Sequence, residues 1–538
     1  MPADFAFVNG AVFVADQARS WARAVAVTGG TISAVGSDRQ VLDQVGLDTE
    51  VIDLAGRMLA PGFQDAHVHP ALGGLQLLRC NLQATSTPEQ AAAAIGRYAD
   101  ANPDQAWVRG GGWRYAWYDR GCPSKELLDA IVPDRPAYLG VADGHSAWVN
   151  SAALAAAGID ASTPDPADGR IERLADGSPQ GTLHEGAMHM LDHVMPANTL
   201  TDHQDALLAG QRYLFSHGVT AWQDAWVVPE LHAAYRAIVA DGRLKAAVRA
   251  ALWWERGEGM EQIERHLELR SQPEGGYLPG TIKLMLDGVC ENFTGALLDP
   301  YLDTHGHPTD NHGIDMIDPG ALKEIVTRLD ALGFQCHFHA IGDAAVRNAL
   351  DAIEAARVAN DWSDNRHHIA HIQLIDPADL PRFRRLGVTA NAQPLWACNE
   401  DSVVELTNPF IGPERVPRMY PFGDLLRHGA TLAMGSDWSV STADVMAQIS
   451  VAVERLIPED RPSEPFLPEQ RMTLTDGLMA FTAGSAYVNH LEADRGTLRP
   501  GSVADLVVLD ANPFERTGRL WEVGVALTMV GGNVVHRV

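Results

Sequence analysis

Histidine and aspartate side chains stand at the ends of several apolar, strand-like runs, and both residue types bind divalent metal ions. The first run ends in Asp65-Ala-His67-Val-His69. Alternate side chains of a strand point the same way, so these two imidazoles can share one ion. A single pair of this kind can occur by chance. Further runs end in residues that could bind the same metal centre, and together they predict a metal site. These residues are His339, His371 and Asp437.

Lys283 lies in the otherwise apolar run 281–287. A buried lysine tends to lose its proton, because burial penalises the charged amine. The neutral amine can react with carbon dioxide to form a carbamate, an anion that can bridge two cations. The alternative is an ammonium group that reaches solvent or pairs with a carboxylate such as Asp287. Beside the other candidate ligands we favour the carbamate.

The middle of the chain alternates strand-like and helix-like segments, which is typical of an α/β protein with a parallel sheet. The pattern predicts a (β/α)8 TIM barrel whose active site lies at the carboxyl ends of the strands. The predicted strands are Met58–His69, Val219–Asp224, Lys245–Trp253, Thr281–Asp287, Gly333–His339, His368–Gln373, Val388–Gln393 and Thr431–Asp437.

Both ends of the chain are predicted to form short strands with tight turns, such as Asn9-Gly10. We expect residues 1–58 and 490–538 to build one small β-sandwich domain, with two separate β-caps as the alternative. Residues 59–489 would then form the barrel domain. The interval after the first barrel strand is too long for one βα unit, so 72–200 is predicted to be a large insertion near the active-site mouth.

The net charge and the cysteine content limit the classes of function that the chain can have. The chain has 538 residues with 41 basic and 69 acidic side chains, a formal charge of −28. That balance argues against binding to nucleic acid or membranes and suits a small-molecule substrate. No apolar run is long enough to span a bilayer. The first residues show no secretory pattern and the 5 cysteines no disulfide framework, so a cytoplasmic location is expected.

The motifs together resemble the amidohydrolase superfamily and, within it, the family-3 amidohydrolases that include N-substituted formamide deformylases. The likeness covers nearly the whole chain, and it is specific for the family rather than for a substrate. Many relatives carry Asp-Gly-Ser after the lysine, whereas this chain has Asp287-Gly-Val-Cys-Glu-Asn-Phe-Thr-Gly. The segments that carry the resemblance start at Ala60, Asp143, Lys283, His339, Arg366, Gly435 and Gly496, and they are APGFQDAHVHP, DGHSAWVNSAAL, KLMLDG, HAIGD, RHHIAH, GSDW and GTLRPGSVADLVVLD.

The resemblance implies a centre with two divalent metal ions, usually zinc. His67, His69 and Asp437 would bind one ion, His339 and His371 would bind the other, and N6-carboxylated Lys283 would bridge the two. A single ion with an unmodified lysine is the alternative. His337 is either a hydrogen-bond partner that orients a ligand or a plain interior histidine.

Such a centre implies hydrolysis by a hydroxide that bridges the two ions and attacks a polarised carbonyl. Asp437 would accept the proton as general base and return it to the leaving group as general acid. The predicted reaction cleaves a C–N bond of an amide, N-substituted formamide or cyclic amide. Metal-dependent cleavage of an ester, lactone or carbamate is the second interpretation. A metal-free binding protein is the third.

Further side chains are candidates for contact with the substrate. His145 and His184 are the candidates for a catalytic contact with the substrate or its oxyanion. The aromatic residues together indicate a pocket for an apolar or aromatic amide. Relatives are often dimers, so a homodimer is the candidate assembly. The predicted pocket residues, any of which could instead be a packing residue, are Trp113, Trp117, Trp148, Gln393, Trp396 and Trp438.

Overall fold

The chain divides into two compact units. The computed structural model describes residues 2–142, 144–166, 168–458 and 464–538, so Asp143, which begins one of the motifs above, lies outside the described residues. The first unit comprises Met1–Val68, Gln211–Asp437 and Ala443–Val538, and the second comprises His69–Gly210 and Trp438–Thr442.

The centre of the first unit is a sheet of parallel strands that follow one another in chain order. Every predicted barrel strand is present and pairs in parallel with its neighbour, which confirms the predicted TIM-barrel fold class. The strands are β1 (Phe63–Val68), β2 (Val219–Val227), β3 (Ala247–Trp253), β4 (Tyr277–Met285), β5 (Gln335–Ala340), β6 (His368–His371), β7 (Thr389–Ala392) and β8 (Thr431–Met434).

The first and last strands of this sheet come together and nearly close the barrel. The backbone N–H of Asp437, just after β8, donates to the His67 carbonyl of β1 over 2.8 Å. Gly435 permits this approach, because a Cβ at this residue would lie 2.5 Å from the His67 nitrogen. Asp65 adds a side-chain tie, since its carboxylate accepts the Ser436 hydroxyl over 2.5 Å. The polar ends of β1 and β8 are therefore drawn together.

The predicted strand Met58–His69 is in fact two strands in two different sheets. Met58–Pro61 pairs with Leu506–Leu509, whereas β1 enters the barrel. Gly62 stands between the two strands, so close to the barrel that a Cβ here would lie 2.4 Å from the Thr220 side chain. The apolar run concealed the break, because both strands are fully buried.

Two further sheets of the first unit are built from the ends of the chain. Apolar side chains of both sheets, among them Val25, Leu59 and Leu506, form one buried cluster. A four-stranded sheet contains Phe5–Val8, Ala24–Thr28, Thr31–Gly36 and Glu50–Asp53. A six-stranded sheet combines Ala11–Phe13, Trp21–Ala22 and Met58–Pro61 with Leu506–Leu509, Val525–Val530 and Asn533–Arg537.

Helices follow most of the barrel strands. Asp343–Asn360 follows β5, and Val445–Glu454 follows β8 with Asp444 as its N-cap. Further helices of the first unit are Asp38–Leu42, Pro229–Ala240, Gln262–Arg270, Pro319–Ala331, Leu380–Leu386, Asn408–Ile411, Phe422–Arg427, Leu474–Met479 and Ser485–Val488, while Leu200–Ser216 runs from the second unit into the first.

The second unit has a mixed sheet of its own with both parallel and antiparallel pairs. Its strands, in sheet order, are Gly169–Arg173, Pro179–Glu185, Ser146–Val149, Ala137–Val141, Val108–Trp113 and Cys80–Asn81. Its helices include Pro70–Leu78, Pro88–Ala101, Lys125–Ile131 and Ser151–Ala157. Across both units, no helix within the described residues is long and apolar enough to cross a membrane.

Candidate metal centre

Five predicted ligands converge in the first unit at the carboxyl ends of the barrel strands. His67 Nε2 lies 3.5 Å from Lys283 Nζ and 3.3 Å from one carboxylate oxygen of Asp437. The other Asp437 oxygen is 3.9 Å from His371 Nδ1, and the His371 ring centre is 4.5 Å from that of His339. All five side chains are buried. We refer to these five residues as the barrel cluster.

Two members of the barrel cluster have a backbone conformation that is unusual for residues other than glycine. The φ angle is +76° at His371 and +53° at Asp437. Such conformations cost about 1–3 kcal/mol each, so the surrounding structure must hold them. Here the surroundings hold them, since the Gln393 side-chain oxygen accepts the His371 N–H over 2.7 Å and the His67 carbonyl accepts the Asp437 N–H.

His69, the sixth predicted ligand, is the first residue of the second unit. It directly follows β1 and is the N-cap of helix Pro70–Leu78. Its spacing from His67 is a property of the sequence, so its role as a metal ligand stays a prediction.

Lys283 is buried in β4, and its charge is strongly disfavoured. Burial lowers the pKa of Lys283 to about 7, although the carboxylates of Asp437 and Asp224 oppose this shift. Burial therefore favours the neutral amine, which is the form that reacts with carbon dioxide. The carboxylates that act on the lysine are these two rather than Asp287, the partner expected in the ion-pair alternative.

Asp287 orients His339 instead. One oxygen of this fully buried carboxylate lies 3.1 Å from His339 Nδ1 and accepts the Ile341 N–H over 3.0 Å. The other oxygen accepts the N–H groups of Ala296 and Gly342 over 2.9 and 2.8 Å. A carboxylate accepts the proton on Nδ1, which leaves Nε2 of His339 as the atom that can bind a metal.

A chain of buried polar side chains orients His67. His67 Nδ1 lies 2.8 Å from His337 Nε2, and His337 Nδ1 lies 2.6 Å from Gln223 Oε1. The Gln223 oxygen can only accept, so His337 Nδ1 carries a proton. Burial lowers the pKa of His337 well below its usual value, so the ring is neutral and its Nε2 accepts the proton of His67 Nδ1. The lone pair of His67 Nε2 then faces Lys283 and Asp437.

Further contacts hold the Gln223 amide in this orientation. Its Nε2 donates to Gln335 Oε1 over 3.1 Å. The orientation of the Gln335 amide is fixed because its Nε2 donates to two backbone carbonyls, which leaves its oxygen as the acceptor. Gln223 Oε1 also lies 2.9 Å from His368 Nε2. His368 Nδ1 in turn faces the Asn391 amide nitrogen at 3.1 Å. The predicted alternative for His337, a plain interior histidine, fits this geometry less well than an orienting partner.

The barrel cluster has the donor atoms that divalent ions need. His371 Nδ1 is buried and has no hydrogen-bond partner among the described residues. Burial, with the neighbouring His339 and His67, lowers the pKa of His371 well below its usual value, so the ring is neutral. Neutral imidazoles beside a carboxylate are typical ligands of zinc and related ions. A bound cation would give the His371 nitrogen a partner.

The two predicted catalytic histidines lie in the second unit and have partners there. His145 Nδ1 is 2.9 Å from the Glu185 carboxylate. His184 Nδ1 is 2.7 Å from Ser146 Oγ, and His184 Nε2 is 3.3 Å from the Glu172 carboxylate. Contact with a substrate stays a prediction for His145, whereas both ring nitrogens of His184 already face polar groups.

Two predicted pocket tryptophans are packing residues of the second unit. Trp113 and Trp148 are fully buried, and their indole N–H groups donate to the carbonyls of Leu139 and Ser124, each over 2.8 Å. Both rings pack against Tyr118. We therefore correct their assignment to core packing, because the apolar face of the small sheet needs large side chains to fill it. Trp117 is half-buried against the same core.

Trp396 does lie at the barrel cluster. Its half-buried ring stacks on His371, with ring centres 5.5 Å apart and an angle of 25°. Gln393 is almost fully buried and bonds the His371 N–H and the Asn391 side chain, so it positions His371 instead of lining a pocket. Trp438 is fully buried in the second unit, and its predicted substrate contact stays a prediction.

Sequence reasoning missed several residues that support the barrel cluster. Asp65 and Asp287 lie within the same motifs as His67 and Lys283, so proximity to a ligand was their signal. Gln223 and Asn391 each place an amide inside a fully buried part of a strand, and a polar residue in a buried strand is the signal that could have identified them.

Comparisons with known proteins find relatives that match this chain over most of its length. A model of the amidohydrolase family matches residues 50–536. Protein LONG AFTER FAR-RED 3 of Arabidopsis thaliana is 30% identical over 99% of this chain and 92% of its own length. The N-substituted formamide deformylase of Arthrobacter pascens is 27% identical over 98% of this chain and 97% of its own. The structure of an uncharacterized metal-dependent hydrolase from Pyrococcus furiosus superposes with a TM-score of 0.72 at 25% identity, covering 95% of this chain and 99% of that one.

Proposed function

This chain belongs to the amidohydrolase family of metal-dependent hydrolases, and from that premise we propose that it cleaves a C–N bond in an amide, an N-substituted formamide or a cyclic amide. The barrel cluster is the observation that carries the proposal. Its five donors lie far apart in the sequence, on four strands and the segment after β8, yet they meet in one buried site. Packing alone gives no reason to gather three imidazoles, an amine and a carboxylate.

The proposal assigns a role to each ligand. His67, Asp437 and, from its spacing, His69 would hold one divalent ion. His339 and His371 would hold a second ion, and carboxylated Lys283 would hold both. Bound ions, with zinc as the expected metal, would supply an activated water and polarise the substrate carbonyl.

Proton transfer is the task of Asp437 in this proposal. Its carboxylate takes the proton of the attacking water and returns it to the nitrogen of the breaking C–N bond, so no net proton is lost. His337 and Asp287 keep the proton on the Nδ1 atoms of His67 and His339. The two metal-binding nitrogens therefore stay unprotonated throughout the cycle.

Trp396 supports an apolar or aromatic group next to the scissile bond. Its half-buried ring lies against His371 and offers an aromatic face at the site. The formamide deformylase relative makes N-substituted formamides the first class to test. A cytoplasmic location and a homodimer are further expectations of the proposal.

A small substrate panel tests the function. Metal-loaded and metal-stripped protein would be assayed with N-benzylformamide, an N-acetyl aryl amide, a cyclic imide and the matched aryl ester. Product formation and metal content would be measured for each. Asp437→Asn is the test variant and Asp310→Asn, at an exposed loop position, is its matched control. We expect metal-dependent turnover of at least one C–N substrate by the natural protein and by the control.

Each outcome of the panel has one meaning. Faster metal-dependent turnover of the ester than of every amide would replace the proposal with an esterase or lactonase. If no product forms although metal is bound, the proposed substrate classes are contradicted. If no product forms and the protein retains no metal, the metal centre itself is contradicted and a metal-free binding protein is favoured.

A further inference from the structure

The second unit contains another group of candidate metal ligands. Cys122, Glu172 and His184 each present one donor atom, and these three atoms lie within 4.8 Å of one another. We propose that these residues, the second-unit cluster, bind one divalent cation of the zinc type. The proposal is independent of the reaction assigned to the barrel cluster.

The two distances from His184 to its neighbours are close to those of a tetrahedral zinc site. His184 Nε2 is 3.8 Å from Cys122 Sγ and 3.3 Å from Glu172 Oε1. Zn–S bonds of about 2.3 Å and Zn–N or Zn–O bonds of about 2.0–2.1 Å place sulfur and nitrogen about 3.6 Å apart on a tetrahedron, and nitrogen and oxygen about 3.3 Å apart. Only small movements would bring the three atoms into coordination. The fourth corner would be open to water.

The far side of the His184 ring is supported as it is in metal-binding histidines. His184 Nδ1 lies 2.7 Å from Ser146 Oγ, which in turn lies 2.7 Å from the Tyr115 hydroxyl. Because a hydroxyl can accept as well as donate, Ser146 can accept a hydrogen bond from the Nδ1–H group of His184 when Nε2 binds an ion. Strand pairing places Ser146 directly opposite His184, so the backbone fixes this contact.

The charges around the cluster suit a dication. Hydrogen bonding to His184, with Arg170 nearby, lowers the pKa of Glu172 to about 2 and keeps its carboxylate charged. Burial raises the pKa of the Cys122 thiol to about 12, so an ion would displace a proton from the sulfur when it binds. Arg170 pairs with Glu172 over 2.6 Å, so thiolate, carboxylate and guanidinium would sum to one negative charge.

The donor set also selects the kind of ion. Sulfur and imidazole nitrogen favour zinc, cobalt and related cations over magnesium and calcium, which prefer oxygen ligands. Cys122 lies in the loop before helix Lys125–Ile131, whereas Glu172 and His184 lie on two paired strands. An ion held by all three would tie the loop to the hairpin and stabilise the second unit.

Cobalt titration of the full-length, metal-stripped protein tests the proposal. Cobalt bound to a thiolate absorbs in the near ultraviolet by charge transfer from sulfur, and the barrel cluster contains no cysteine. We expect this band in the natural protein and its loss in Cys122→Ser. Cys80→Ser, which alters another buried cysteine of the same unit, is the matched control and should retain the band. Absence of the band in the natural protein, or its persistence in Cys122→Ser, would overturn the proposal.

A second variant covers the case in which Cys122→Ser does not fold. Glu172→Gln keeps the thiol but removes one charged ligand, so the cobalt concentration at half-maximal band should rise about tenfold. Circular dichroism would check that each variant is folded. Metal analysis should also find one zinc ion fewer per chain in Cys122→Ser than in Cys80→Ser. If Glu172→Gln does not change the cobalt concentration at half-maximal absorption, the carboxylate is not a ligand and the three-ligand proposal is contradicted.

Discussion

The barrel cluster and the second-unit cluster each contain a histidine that a neighbouring polar side chain orients for metal binding, but the neighbours differ. In both, the far nitrogen of an imidazole faces a polar side chain that determines which ring nitrogen can bind a metal. For His67 this partner is His337, which is held by Gln223, so two further side chains share the task. For His184 the partner is Ser146, on the strand directly opposite.

The difference lies in how many elements must be correct at once. The barrel cluster takes its ligands from four separate strands and the segment after β8, and buried polar side chains from other strands orient them. The second-unit cluster takes two of its three ligands from one hairpin, and Arg170 holds the Glu172 carboxylate in place. We infer that ions in the barrel cluster take part in catalysis, whereas an ion in the second-unit cluster stabilises the fold of that unit. Loss of a support should therefore weaken metal binding in both clusters, and in the first it should also lower catalysis.

The largest effect is expected from Asp437→Asn. The amide cannot take up the proton of the attacking water, so kcat/KM should fall about 10³-fold. Steady-state kinetics, together with metal analysis, would separate proton transfer from metal binding. Asp310→Asn should retain the natural rate. More than a tenth of the natural activity in Asp437→Asn would remove this residue from proton transfer.

Gln223→Leu tests the extended support of the barrel cluster. Without the acceptor oxygen the proton on His337 is no longer fixed, and His67 loses its preferred tautomer. Metal affinity should fall about 10–100-fold, as is typical when such partners are removed. Competition with a chromogenic chelator would measure it, with the exposed Gln17→Leu as control. An affinity within twofold of the natural protein would mean that Gln223 only fills space.

Gly435→Ala tests the close approach of β8 to β1. The new methyl group would collide with the backbone of His67, so the two strands must move apart at a cost of about 1–3 kcal/mol. Chemical denaturation would measure this loss of stability. Gly257→Ala is the matched control, since its Cβ would meet nothing within 4 Å. Equal stability of the two variants would mean that the approach of β8 to β1 at Gly435 leaves room for a methyl group.

Ser146→Ala should have the smallest effect and should act on the second-unit cluster. Loss of the hydroxyl leaves His184 Nδ1 without its acceptor, so the cobalt concentration at half-maximal thiolate absorption should rise about tenfold. Ser86→Ala, at an exposed position of the same unit, is the control. If both variants titrate alike, Ser146 does not orient the ligand, and the parallel between the two clusters fails.

Much of the barrel could be predicted because its strands are apolar runs that end in polar residues. His339 and His371 stand where the pattern stops, and the structure brings both to the barrel cluster. The break at Gly62 could not be predicted, because an apolar run does not reveal which sheet each half joins.

The supports were harder to predict than the ligands. The roles of Gln223 and Asn391 depend on which strands are neighbours, and that is known only once the sheet has formed. Trp113 and Trp148 illustrate the opposite error, since aromatic residues in an insertion suggest a pocket, whereas a small sheet also needs a core. Cys122 is far in sequence from Glu172, and only the folded second unit brings them together.

The six-stranded terminal sheet has a consequence for the order in which the molecule can form. Met58–Pro61 leads directly into β1, but its neighbour Leu506–Leu509 begins 445 residues after Pro61. At roughly 5–20 residues per second, a ribosome needs on the order of tens of seconds to supply it. Until then one edge of Met58–Pro61 is unpaired and open to association with other chains. Strands that are synthesised much later therefore complete the sheet from which the barrel begins.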